Sequence, residues 1–323
     1  MKSVFVKLVF FISLFLYVSN GFGSFFKVPA GEIAYWQFDL KRGDYIVINY
    51  TANGGVSIYV TDNQYIWYLV KNLSQAKAKF QAPYDGRFYI VVDNSHSLFT
   101  DKNVNAHVYH IPYRELKAFA EELGKELFNY LNLLKFYNPK IQVPRLEYKK
   151  CGERNAYYIP WENKIILCNE YIWDLVDFKI LNSPQNWKQE SKAAITHTLF
   201  HEIGHALVHL CNLPVLGKEE DAADALATLA GIKFDPLIAY EGAITFLTLL
   251  KNNFPIYWDS HSPDVERFYN ILCWLYGSNP RNFFFIIKYY PELSNRNCAY
   301  EYFQLKRSWE TLLRNCGFNF TFD

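Results

Sequence analysis

The apolar pattern of this chain changes period near Pro112, and that change divides it into two differently built parts. From about Ser24 to Ile111 the period is two. Ala34, Trp36, Phe38 and Leu40 alternate with polar or opposite-face residues. The β-rich runs Tyr45–Tyr50, Val56–Val60, Ile66–Val70 and Phe88–Val92 follow. Turn signals separate them at Arg42-Gly43-Asp44, Asn53-Gly54-Gly55, Asp62-Asn63, Asp85-Gly86, Asp93-Asn94 and Asp101-Lys102-Asn103. Short strands at this interval predict an antiparallel β-sandwich over residues 24–112. From Arg114 the period becomes helical: Leu116, Phe119, Ala120, Leu123, Leu127, Tyr130, Leu131 and Leu134 share one face. Residues 113–323 read as a mostly α-helical domain with a small β-hairpin or sheet at 141–168, which makes the whole chain α+β.

Residues 1–23 stand apart from both. Lys2 and Lys7 flank the start of an apolar run, Leu8 to Val18, and small residues follow at Ser19, Gly21 and Gly23. This is the layout of a secretory signal peptide, and the run is shorter than the ~20 residues a spanning helix needs. Left uncleaved, it would tether the chain to a membrane. Export suits the six cysteines, which can pair in an oxidising compartment. Cys151 and Cys168 flank a predicted hairpin that a disulfide would staple, and Cys273 with Cys298 and Cys211 with Cys316 complete one of the 15 possible connectivities. Lysine plus arginine (33) nearly balances aspartate plus glutamate (32), so no basic surface for a nucleic acid is expected.

The chemistry concentrates in His201-Glu202-Ile203-Gly204-His205. On a helix, H-E-x-x-H sets two imidazoles one turn apart on one face with a carboxylate beside the first. Two imidazoles and a third protein ligand would hold Zn²⁺ with one position open for a water. The flanking Ala193, Ala194, Ile195, Leu199, Phe200, Ala206, Leu207 and Val208 are apolar and proline-free, which predicts a mostly buried helix; buried imidazoles and a carboxylate need partners or a metal. His197 and His209 extend the stripe, but no carboxylate directly follows the first member of either pair they form, so they read as helix-face residues. A metzincin-type third histidine is excluded by Val208 and Cys211 at the positions of its glycine and histidine. The remaining source is Glu219-Glu220-Asp221-Ala222-Ala223-Asp224, at the start of a second helix. There E-x-x-x-D spacing lets one carboxylate reach the metal and another, one turn on, hold an imidazole by its free N–H.

His201–Leu207 followed by Leu213–Ala227 resembles a family of proposed metallopeptidases carried as a domain of unknown function, and more distantly the gluzincins, the thermolysin-like zinc peptidases. Cys151-Gly152, Ile165–Glu170 and Arg267–Gly277 extend the resemblance over about the last two-thirds of the chain. It implies a zincin-like catalytic domain, with His201, His205 and Glu220 as zinc ligands, Glu202 as catalytic base and Asp224 holding a ligand histidine. The spacer between the motifs is shorter than in thermolysin-like enzymes, which leaves Asp221 as an alternative to Glu220. The resemblance further implies that an edge strand, Tyr157, Tyr158 and Ile159 or the run paired with it, takes the substrate backbone beside the zinc. It also implies an oxyanion donor, for which His261 is the first candidate and Arg267 the second. The stretch from about Ser24 to Ile111 resembles the pre-peptidase carboxy-terminal type of β-sandwich, an accessory module of secreted peptidases, with Val28-Pro29-Ala30-Gly31 and Gly43-Asp44-Tyr45 carrying the similarity.

The expected protein is therefore a secreted, zinc-dependent peptidase acting on a peptide or protein. Two alternatives are a secreted binding protein whose metal is structural or vestigial, and a zinc hydrolase acting on a non-peptide amide. In the first domain His96, His107 and His110 lack ligand spacing and the aromatics fall at strand period. They read as packing, with a glycan- or polymer-binding surface as the alternative.

Overall fold

A computed structural model describes residues 21–249 and 262–323. The chain forms two compact units, one built from residues up to Ala120 together with Ile180–Gln185, the other from Glu121–Lys179 and Asn186–Asp323. Among the described residues, no helix is long and apolar enough to cross a membrane.

The first unit holds strands β1 (Phe22–Val28), β2 (Ile33–Leu40), β3 (Tyr45–Thr61), β4 (Ile66–Gln81), β5 (Gly86–Asp93) and β6 (Lys102–Ile111). Phe22 and Gly23, at the end of the segment read as a leader, belong to β1. All pairings are antiparallel, in the order β1-β6-β3-β5-β2 with β4 on β3. The turn expected at Asn53-Gly54-Gly55 does not form. β3 runs straight through it, pairing with β6 up to Ala52 and with β5 from Ser57, while its register with β4 slips between Thr51 and Tyr59. Glycine in a strand permits such a bulge, and Gly55 leaves room for the Asn72 side chain, whose oxygen would lie 2.1 Å from a Cβ there. The six strands consequently make one continuous curled sheet rather than two separate ones. Its bend folds Ile46, Ile48, Val104 and Val108 onto the same core as Ile58, Val60, Phe88 and Ile90.

Helix α1 (Tyr113–Tyr137) buries Leu116, Phe119, Leu123, Leu127, Leu131 and Leu134. The second unit continues with β7 (Arg145–Lys149), β8 (Ala156–Ile159) and β9 (Lys164–Cys168). β9 is central, parallel to β7 and antiparallel to β8, so β8 is an edge strand. A 3₁₀ turn at Pro160–Glu162 closes the β8–β9 hairpin, with Asn163 in the left-handed region, and the Cys151–Cys168 disulfide ties its ends. Then come α2 (Asn169–Asn182), α3 (Trp187–Leu210), α4 (Glu219–Phe234), α5 (Pro236–Leu249), α6 (Asp264–Ser278), α7 (Phe284–Tyr289) and α8 (Cys298–Asn315). Cys211–Cys316 joins the end of α3 to the end of α8, and Cys273–Cys298 joins α6 to α8. All three pairings read from the sequence are present.

The crossing of α3 and α4 positions the site. A Cβ on Gly204 would lie 2.8 Å from the Ala223 Cα and 3.0 Å from its Cβ, so the backbones meet with no side chain between them. Gly204→Ala is expected to push α4 away and to cost about 1–3 kcal/mol of stability through overpacking. Glu220, one turn from Ala223 on the same face of α4, should retreat with it and metal affinity should fall. Denaturant unfolding and a zinc titration check both; a variant that equals the parent in each would show that the helices do not make this contact.

Candidate metal centre

The i,i+4 spacing on α3 sets the His201 and His205 rings 4.8 Å apart, nearly perpendicular. Their Nε2 atoms lie 3.1 Å from each other. Glu220, in the first turn of α4, brings Oε2 to 3.1 Å from the His201 Nε2 and 3.4 Å from the His205 Nε2. Three donor atoms from two helices thus form a nearly equilateral triangle. For a tetrahedral ion with bonds of 2.0–2.1 Å, ligand atoms are spaced about 3.3 Å apart, so the triangle fits one face of such an ion. Among the described residues this is the group of histidines and acids able to hold a metal ion. Asp221 is turned elsewhere, its Oδ1 accepting from the Ser262 hydroxyl at 2.7 Å. The acid that joins the imidazoles is Glu220.

Around the triangle each ring is held by its other nitrogen. His201 Nδ1 lies 2.8 Å from Asp224 Oδ1, and His205 Nδ1 lies 2.7 Å from Glu219 Oε1. Asp224 is buried and receives Arg267 on both oxygens, Nε to Oδ2 at 2.6 Å and Nη2 to Oδ1 at 2.7 Å. The guanidinium also stacks 4.0 Å over the Phe246 ring. Arg267 is therefore not free to act as the oxyanion donor for which it was the second candidate, since a fork that fits a carboxylate bidentately is occupied by one. The first candidate, His261, falls outside the described residues.

The electrostatics follow from burial and these contacts. Burial opposes charge on the His201 ring, but its bonds to Asp224 and Glu220 outweigh that and raise its pKa to about 10 in the metal-free site. His205 is raised too, with burial again overcome by Glu220 and Glu219. Metal binding must displace these protons. Asp224 is held below the usual carboxylate range because Arg267 and His201 overcome its burial. Glu202 is buried and its pKa is raised, chiefly by that burial. A backbone N–H from Tyr158 on β8 opposes the rise.

That amide shows that β8 runs beside α3. One turn past His205, the Tyr158 hydroxyl pairs with His209 Nδ1 at 3.2 Å and donates to Asn163 at 3.2 Å. Burial raises the pKa of Tyr157, and Glu153 and Glu202 add to the rise. Ile159 ends the same strand, half-buried. Tyr157, Tyr158 and Ile159 thus form an edge strand flanking the motif helix.

His197 lies in the core, its ring so close to α5 that a Cβ on Gly242 would come within 2.3 Å of it. Its Nε2 is buried without a hydrogen-bond partner, and burial lowers its pKa to about 3. Because the folded value lies below that of the unfolded chain, this residue contributes stability that is complete above pH ~6.5 and is lost as pH falls toward 3. The metal-free protein is expected to lose about 2 kcal/mol between pH 6.5 and 5 through this group. Urea unfolding at the two pH values, compared with His197→Leu, measures it. An equal loss in the variant would remove His197 as the source.

Three contacts here escaped sequence reasoning: Glu219 with His205, Asp221 with Ser262, and Arg267 with Asp224. The first two involve acids in the first turn of α4, where the positive end of the helix dipole favours a carboxylate whatever it meets.

A family model described as "DUF4344: Putative metallopeptidase" matches residues 117–313, more than half of the chain. The chain belongs to this family. The DUF4344 match runs from α1 into α8 and contains the whole triangle, and a metallopeptidase family implies a metal. No curated protein matches the chain. Similar solved structures include a periplasmic inhibitor of g-type lysozyme, PliG, from Aeromonas hydrophila, at 10% identity and TM-score 0.25, covering 30% of this chain and 90% of that one. A mutant of a functionally unknown conserved protein from Bacillus anthracis str. Ames matches at 10% identity and TM-score 0.21, over 91% of this chain and 78% of that one. ToxT from Vibrio cholerae matches at 12% identity and TM-score 0.20, over 78% and 93%. At these scores none of the three bears on fold or function.

Proposed function

We propose that this protein is an exported zinc peptidase of gluzincin-like ligand set, hydrolysing peptide bonds with Glu202 as general base. The observation that carries the reading is the convergence of His201 Nε2, His205 Nε2 and Glu220 Oε2 within 3.4 Å, next in sequence to a buried glutamate. Zinc held there would polarise a substrate carbonyl and lower the pKa of a water to about 7. Glu202 takes a proton from the attacking water and returns it to the leaving amine. Its raised pKa brings it nearer to the range in which both transfers are efficient. Asp224 and Arg267 fix the tautomer of His201, leaving the Nε2 lone pair on the metal side. β8 has one edge unpaired within its sheet, and an extended substrate segment can add to that edge through main-chain hydrogen bonds. Three disulfides support export.

The test is metal analysis of the purified full chain together with digestion of a peptide library, with and without a chelator. One zinc per chain and chelator-sensitive cleavage are expected. Zinc retained with no peptide cleaved would favour a binding protein with a structural metal or a hydrolase of other amides.

A further inference from the structure

We propose that Glu219 is the positioning residue of His205, doing on the solvent side of the metal centre what Asp224 does for His201 in the interior. The inference rests on the metal-centre reading above. An imidazole whose proton sits on Nδ1 has its lone pair on Nε2, and the carboxylate that accepts the Nδ1–H decides that choice. Glu219 Oε1 stands 2.7 Å from His205 Nδ1, and the Nε2 of the same ring is aimed at the triangle, 3.1 Å from its partner on His201.

Helix geometry explains why two adjacent glutamates can serve one histidine. Successive residues of α4 point about 100° apart, so Glu219 and Glu220 cannot address the same atom. They straddle the His205 ring instead, Glu219 at Nδ1 and Glu220 at Nε2. With Asp221 on Ser262 and Asp224 on His201 Nδ1, no two of the four acids of Glu219–Asp224 share a partner atom.

The two supports differ in strength. The Asp224 side chain is 3% exposed and paired with Arg267, whereas that of Glu219 is 49% exposed. Solvent screens the Glu219 contact, so its loss should sit at the lower end of the 10–100-fold range in metal affinity typical of such partners.

The experiment compares the full chain with Glu219→Ala and Glu219→Gln, measuring zinc affinity by competition with a chelating dye, the visible spectrum of the Co²⁺-loaded protein and metal-free thermal unfolding. Glu219→Ala should bind zinc about ten-fold more weakly and alter the Co²⁺ spectrum, with a smaller loss of metal-free stability from its half-exposed pair with His205. Glu219→Gln keeps an acceptor oxygen and should recover part of the affinity. If the parent binds zinc and Glu219→Ala matches it in affinity and spectrum, this proposal fails while the metal centre stands. If the metal-free variants lose stability in proportion to affinity, Glu219 serves the helix dipole and the proposal also fails. A parent that takes up no zinc overturns both readings.

Discussion

Arg267→Leu is expected to destabilise the metal-free fold by about 3–5 kcal/mol, because it strands the buried carboxylate of Asp224 without its main countercharge. Arg267 reaches both oxygens of Asp224 from α6, and its charge keeps that carboxyl ionised despite complete burial. His201 alone would remain as partner. Lysine should not rescue the site, since one ammonium cannot span both oxygens as the planar fork does. The double variant Arg267→Leu/Asp224→Leu separates two roles of the pair. Removing both charges should restore much of the stability, but His201 loses the acceptor that sets its tautomer, so zinc affinity should stay low. Denaturant unfolding of the three metal-free proteins with a zinc titration of each gives the answer. A single-variant loss under 1 kcal/mol would mean that water, not Arg267, compensates Asp224.

Glu202→Gln should lower turnover by a factor of about 10²–10⁴, the usual contribution of a general base, while zinc remains bound. The three converging donors are unchanged, and the new amide oxygen can still accept the Tyr158 N–H. Stability should hold or rise, because a carboxyl whose pKa is raised by burial is one the fold holds in its charged form at a cost. The measurement is zinc content and peptide cleavage on the same preparation. A zinc-loaded variant working at the parent rate would remove Glu202 from the mechanism.

Much of the architecture was legible because it is periodic. Alternation in Ala34–Leu40 and a helical repeat in Leu116–Leu134 each state which face is buried, whatever lies against it. The hairpin between Cys151 and Cys168 and the pair His201/His205 were readable for the same reason: their partners lie close in sequence. Gly54-Gly55 misled, since the pattern that marks a turn also marks a bulge. Only the pairing of β3 with its neighbour strands on either side of the glycines selects between them.

The sequence by itself determined the change from strand to helix and the helix bearing two imidazoles and an acid. Its E-x-x-x-D spacing singles out Glu220 and Asp224 among the acids of α4, but it could not decide between Glu220 and Asp221 or give Glu219 a partner: Glu219 meets His205 Nδ1, Glu220 meets both Nε2 atoms and Asp221 meets Ser262. That division is set by the angle and depth at which α4 crosses α3, and the close approach of Gly204 to Ala223 sets the depth. The same holds for Arg267, whose partner is fixed by where α6 packs, a long-range outcome that no spacing along the chain encodes.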